Sequence, residues 1–245
     1  MKQKIIIKIS GNLLFSEDGI LNKKFLNLLW NEAIMYFNKV FIFYGGGNYI
    51  KKRVRQSCIS DYLNEYDKND IIPMLDNMII QLTKWCEDKP LSTVNIDSLL
   101  YQQNDHLIIT RDNIRFNNNT IFCNNILTNG KKYYFPSSDE TAARLSEYIN
   151  PDILLFLTEV DGIYYPFPYE LKQLPLAEIN AKNRKHIKFK TYTPGLSNMS
   201  QKVDWAMLAS TFSIQTIIAN GNNLDNINCI FTGRPYIGTK IKNEG

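Results

Sequence analysis

Five short runs of β-branched and aromatic residues recur along the chain, at Lys4 to Ile9, Val40 to Tyr44, Leu107 to Thr110, Ile153 to Leu157 and Ile214 to Ala219. Runs of this kind read as strands buried on both faces. Between them, Lys23 to Phe37 carries Phe25, Leu28, Leu29, Ala33 and Phe37 as a helical stripe, and Ile72 to Glu87, Glu140 to Ile149 and Gln201 to Phe212 repeat it. Buried strands alternating with helices predict an α/β fold, a three-layer αβα sandwich around an open, mainly parallel sheet. The Asn-rich segment from Asn113 to Asn129 breaks the rhythm and reads as a hairpin or irregular excursion, with Asn129 and Gly130 as its turn signal. No repeat, low-complexity linker or break in composition divides the chain, so a single domain over residues 1–245 is expected.

Tyr44, Gly45, Gly46, Gly47 and Asn48 lie between the second run and a basic, helix-like segment. Residues without a Cβ let backbone approach a ligand closely, and a strand that turns into a helix there presents free N–H groups and the positive end of a dipole. That combination suits an anion. Lys51, Lys52, Arg53 and Arg55 add cationic side chains. The spacing matches neither the dinucleotide fingerprint nor the P-loop, and a tight turn before a solvated helix is the plainer alternative.

Composition narrows the class. The chain is 44% hydrophobic and 21% charged, ordinary for a globular protein, and its net charge of +4 is too scattered to predict a nucleic-acid partner. Four cysteines stand far apart with only two histidines beside them, so neither a disulfide framework nor a protein-held metal is expected. Lys8 interrupts the first apolar run, and no run approaches the ~20 residues of a membrane span. A cytoplasmic protein with reduced thiols and no membrane partner is the expectation.

In an open parallel sheet, ligands bind beyond the carboxyl ends of the strands. Polar or glycine-bearing segments follow the strands here: Lys8 to Asn12, the glycine triplet, Thr158 to Gly162, and Asn220 with Gly221. Their order and spacing resemble the amino acid kinase superfamily over nearly the whole chain. The matching pieces are KISGN (Lys8 to Asn12), YGGGN (Tyr44 to Asn48), SSDETAARL (Ser137 to Leu145), LTEVDGIYY (Leu157 to Tyr165), GLSNMSQK (Gly195 to Lys202), and ANGNNLDNI followed by Gly238 and Thr239.

The resemblance implies transfer of the γ-phosphoryl group of ATP, with Mg2+, to a small anionic acceptor. It implies that Lys8 contacts the transferring group, that Lys202 is a second lysine on the nucleotide phosphates, and that Asp139 orients the two lysines. A lysine in the first turn of a helix opposes the dipole, which a bound polyphosphate would explain. Ser138 or Asp139 is equally suited to capping a helix. The implied ATP site comprises Lys8, Ser10, Gly11, Thr158, Val160, Asp161, Gly162, Tyr164, Met199, Lys202, Asn220 and Gly221. Gly162 permits the turn there, and Tyr164 either offers a face to adenine or belongs to the core. The implied acceptor site comprises Gly45, Gly46, Gly47, Asn48, Lys51 and Ser138. Residues 1–135 would then form an acceptor-binding half and residues 136–245 an ATP-binding half, in a homodimer.

The pattern most resembles isopentenyl phosphate kinases and fosfomycin-resistance kinases, with features of uridylate kinases. The first two carry a histidine four residues beyond the glycine triplet, where this chain has Lys51. Lysine keeps a cation but not a titratable donor. A phosphate monoester such as isopentenyl phosphate, or a related phosphonate, is the expected acceptor, with UMP and a furan-methyl phosphate as alternatives. A nucleotide-binding sensor or storage protein without turnover is the alternative of another class.

Overall fold

A computed structural model describes residues 2–54, 62–63, 65–103, 106–110, 118–124, 126–129, 132–165, 174–187 and 199–243. Arg55, Gly130, and the stretch from Gly195 to Asn198 lie outside them.

The first half runs β1 (Lys2–Ile9), α1 (Gly11–Leu14), α2 (Lys23–Tyr36), β2 (Phe37–Tyr44), α3 (Gly47–Val54), β3 (Tyr62–Leu63) and α4 (Glu65–Cys86). It continues through β4 (Leu91–Asn95), β5 (Leu100–Gln103), β6 (His106–Ile109), β7 (Asn119–Cys123), β8 (Leu127–Asn129) and β9 (Lys132–Tyr134). Then follow α5 (Ser138–Ile149), β10 (Ile153–Thr158), β11 (Glu178–Ile179) and α6 (Ala181–Arg184). The chain closes with α7 (Met199–Thr211), β12 (Gln215–Asn220), α8 (Leu224–Thr232) and β13 (Thr239–Ile241).

Eight strands form the central sheet in the order β11-β13-β12-β10-β1-β2-β7-β4, and only the β12–β13 pair is antiparallel. Both faces are covered, as the expected αβα sandwich requires. Ile5, Ile7 and Ile9 of β1 pack with Leu14, Leu26, Leu75 and Ile230 from α1, α2, α4 and α8. Ile6 points the other way, into a core with Ala142, Leu145, Val203 and Ala206 from α5 and α7. These four isoleucines are fully buried, and each contributes roughly 1.5–3 kcal/mol by leaving water. The central position of β1 follows from a sequence apolar on both of its faces.

β1 is also the switch point. The chain steps from β1 to β2 on one side and later places β10 on the other, which opens a crevice beyond the carboxyl end of β1.

Two expectations are corrected. Leu107 to Thr110 is not a central strand, because β6 pairs antiparallel with β5 in a two-stranded ribbon outside the main sheet. Conversely, β7 lies inside the Asn-rich segment and is a central strand between β2 and β4. Its apolar part, Ile121 to Cys123, is short but fully buried, and burial outweighs the turn-forming asparagines around it. The hairpin expected near Asn129 is present as the antiparallel pair β8–β9, with Asn129 opposite Lys132. The helix expected from Ile72 begins earlier, at Glu65, and contains Pro73.

Candidate active site

Alternation along β1 turns Lys8 to the face opposite Ile7 and Ile9, between Phe43 of β2 and Phe156 of β10 in register. An ammonium group there is nearly dry, with Lys8 only 3% exposed. Asp139 enters from the first turn of α5 and Lys202 from the first turn of α7. The carboxylate Oδ1 of Asp139 receives Lys8 Nζ at 2.5 Å and Lys202 Nζ at 2.7 Å. Lys202 Nζ also lies 5.4 Å from the centre of the Phe156 ring, a cation–π distance.

Taking ions out of water costs several kcal/mol per ion, so this trio is a poor way to hold a protein together. Burial pushes the Lys8 ammonium down to about 7, helped by Lys202, although Asp139 pulls the other way. Burial would raise the Asp139 carboxyl, but Lys202 and Lys8 together hold it well below the usual carboxylate range. One cation is in excess when both lysines are charged, and each ammonium has donors beyond the one that Asp139 takes. A polyanion such as a nucleotide's phosphates fits that surplus. Asp139 Oδ2 is buried with no hydrogen-bond partner among the described residues, an acceptor that suits a donor brought by a ligand or its water.

Glycine backbone closes the site on the side of β2. A Cβ on Gly11 would lie 2.0 Å from Gly47 N and 2.3 Å from Gly45 O, so the turn after β1 and the turn after β2 pack main chain to main chain. Only glycine allows that approach. A Cβ on Gly45 would point at Ser138 Oγ, 3.3 Å away, and Lys8 Nζ, 3.8 Å away, so this α-carbon faces the ammonium directly. Gly47 has φ +59°, a left-handed conformation that opens α3. The N–H groups of the turn divide: Gly45 N–H donates to Ile9 O and the following Asn48 N–H to Asn12 Oδ1, while those of Gly46 and Gly47 meet no partner among the described residues. Lys51, half-buried, stands one turn further along α3.

Thr158, Val160, Asp161, Gly162, Tyr164, Asn220 and Gly221, expected to line an ATP site, gather at or just beyond the ends of β10 and β12. Ser10 N–H donates to Leu157 O, and Gly221 N–H donates to Thr158 O, joining both ends to β1 and to each other. Thr158 Oγ1 accepts from Val160 N–H in a tight turn. Asp161 then accepts from Asn220 Nδ2 at 3.0 Å and from the Tyr164 hydroxyl at 3.2 Å. Asp161 and Asn220 also edge an open cleft of about 460 Å3, lined further by Asn222, Asn223, Leu224 and Asp225. Met199 packs against the core that holds α5 and α7.

Two details differ from the sequence reading. Gly162 is required by close packing rather than by a turn, since a Cβ there would lie 2.7 Å from Thr239 Oγ1 and 2.9 Å from Pro175 Cβ. The cap of α5 is Ser137, which makes no side-chain cap bond, so neither Ser138 nor Asp139 serves as the cap and the Asp139 carboxylate is turned to the lysines. Three residues outside the expected set join the site: Asn12, Glu159 and Asn124. Asn12 Nδ2 donates to Glu159 Oε2 at 2.9 Å, and the buried Asn124 Nδ2 donates to Tyr44 O at 3.1 Å, just before the triplet.

Comparison with known proteins identifies the family and the fold. The model of the amino acid kinase family matches residues 3–220. A glutamate 5-kinase of Alkaliphilus metalliredigens (strain QYMF) is 25% identical over 241 residues, which cover 89% of this chain and 88% of that protein. Among solved structures, the isopentenyl phosphate kinase of T. acidophilum, a product complex, superposes with a TM-score of 0.63 at 18% identity, over 98% of this chain and 100% of that one. The UMP kinase of Bacillus anthracis superposes with a TM-score of 0.61 at 19% identity, over 100% of this chain and 97% of that one. At these identities the structural likenesses establish the fold alone.

Proposed function

Because this chain belongs to the amino acid kinase family and is a kinase, we propose that it transfers the γ-phosphoryl group of ATP to a phosphate monoester such as isopentenyl phosphate, or to a related phosphonate. The observation that carries the reading is the buried Lys8–Asp139–Lys202 cluster beside the glycine turn. Phosphoryl transfer asks a protein for positioning and positive charge more than for covalent chemistry, and the cluster supplies both.

In this reading an acceptor oxygen forms the new bond to the γ-phosphorus as the bond from that phosphorus to the β–γ bridging oxygen breaks, and ADP leaves with the electron pair. An ionised phosphate acceptor has no proton to lose, so Asp139 holds the lysines in place and need not act as a base. Lys8 faces both the triplet and Asp139, which suits it to the group in flight. Lys202, on α7, is the residue proposed for the phosphates that remain on ADP. Mg2+ would come with the nucleotide and neutralise charge on its phosphate oxygens, held mostly by those oxygens and water. Gly46 and Gly47 N–H, Ser138 and Lys51 are the donors proposed for the acceptor.

A carboxylate acceptor is the second reading, favoured by the sequence similarity to glutamate 5-kinases. ADP release measured with isopentenyl phosphate, UMP, a furan-methyl phosphate, fosfomycin and glutamate separates the two. Turnover with a phosphate monoester or phosphonate is expected. Turnover with glutamate alone would replace the first reading by the second, and ATP binding without phosphorylation of any acceptor would defeat both.

A further inference from the structure

We infer that Asn12 is a positioning residue that carries the state of the nucleotide side to the acceptor turn, through a fork joining Glu159 to the start of α3.

Asn12 follows Gly11 in α1, just beyond the carboxyl end of β1. Its Oδ1 accepts the Asn48 N–H at 2.7 Å and its Nδ2 donates to Glu159 Oε2 at 2.9 Å. A carboxamide has one oxygen and one nitrogen, so the first bond fixes which atom is left for the second. The N–H of a residue in the first turn of a helix is an orphan that a neighbouring cap residue normally satisfies. Here the cap comes from 36 residues earlier, on another element. Gly47 rests on the same oxygen, for a Cβ at that residue would meet Asn12 Oδ1 at 2.9 Å. The glycine triplet is therefore seated on the Asn12 carboxamide.

The other arm reaches the nucleotide side. Glu159 follows Thr158, whose carbonyl receives Gly221 N–H, and precedes Asp161 of the cleft by two residues. Glu159 is solvent-exposed and contributes little to stability as a surface group. Its bond to Asn12 is nevertheless a direct side-chain link from the β10 loop to the turn proposed to hold the acceptor. A ligand that settles the β10 loop fixes Glu159, then the Asn12 carboxamide, and with it Asn48 N–H and Gly47. Positioning of the acceptor turn then depends on nucleotide binding.

The inference rests on the kinase reading, and its test needs no acceptor. Amide hydrogen exchange of residues 45–50 is followed with and without saturating ADP, whose binding is measured independently by calorimetry. In the unmodified protein ADP slows exchange of this segment about fivefold or more. Asn12→Asp keeps an oxygen for Asn48 N–H but sets a carboxylate against Glu159, and removes the ADP-dependent protection. Asn12→Asp combined with Glu159→Gln lets the glutamine amide donate to the new carboxylate, and restores it. Glu159→Ala, at an exposed position that leaves the fold intact, also abolishes the protection while ADP still binds. ADP bound with no protection of residues 45–50, or equal protection in Glu159→Ala and in the unmodified protein, overturns the inference and leaves the kinase reading standing. Failure of the unmodified protein to bind ADP overturns both.

Discussion

Lys8 and Lys202 converge on one atom: both ammonium groups bond Asp139 Oδ1, at 2.5 and 2.7 Å, while Oδ2 of the same carboxylate is left without a partner among the described residues. Two cations on one oxygen leave a charge surplus in a dry place. Asp139→Ala removes the carboxylate that bridges them, and breaking a buried pair this way costs about 3–5 kcal/mol. Urea unfolding should show that loss, with part of it recovered in ATP because bound phosphates replace the missing negative charge. An unchanged unfolding midpoint would mean that the carboxylate does not hold the cluster together.

Replacing either lysine should act on rate rather than on fold. Lys8→Ala and Lys202→Ala each remove a cation from the proposed phosphate site, and turnover should fall about 10²- to 10³-fold or more. Circular dichroism should remain native. Near-normal turnover in either variant removes that lysine from the mechanism.

The Lys8 titration gives a pH dependence with a definite sign. Its folded value near 7 lies below the unfolded value of 10.5, so between these pH values the folded chain binds fewer protons than the unfolded one. The contribution of Lys8 to stability therefore rises with pH across that window. Asp139 has the opposite source: its carboxyl is held low in the fold, so its contribution is present above about pH 4 and is lost as the pH falls through the folded value. Nucleotide phosphates favour the charged lysine. ATP binding at pH 8 should take up a proton, and at pH 6 almost none. Calorimetry in two buffers of different ionisation enthalpy reads this directly, and identical heats in both buffers at pH 8 would contradict it.

Among the glycines, close approach and left-handed φ make different demands. Gly11→Ala drives a methyl into Gly47 and Gly45 main chain that neither turn yields easily, and the cost should be at the upper end of the 1–3 kcal/mol typical of overpacking, or beyond it. Gly233→Ala has φ +75° but open space around it, so it should cost only about 1–2 kcal/mol. Unfolding of the two variants checks the order, and activity should be lost only in the first.

Most of the sheet was legible because its strands are apolar on both faces, as β1, β2, β10 and β12 are. β4 was not, since LSTVN at the sheet edge is only half-buried and carries polar residues throughout. β7 was hidden by flanking asparagines, and the Leu107 run misled because a hairpin can bury Leu107 as well as a central strand can. Lys8, Asp139 and Lys202 were legible together only through the motif pattern, for nothing in local periodicity brings residues so far apart onto one oxygen. The Asn12 fork left no local trace. An asparagine after a glycine turn is ordinary, and its partners Asn48 and Glu159 are distant in sequence and near only once β2 and β10 flank β1.

Phosphorus-31 NMR of the protein with ATP, Mg2+ and isopentenyl phosphate tests the central claim most directly. The account predicts that the monoester resonance is replaced by the coupled pair of a diphosphate as ADP accumulates, and that Lys202→Ala abolishes this conversion while leaving the protein folded. ATP bound and unconsumed, with this monoester and with every other phosphate, phosphonate and carboxylate offered, would contradict it.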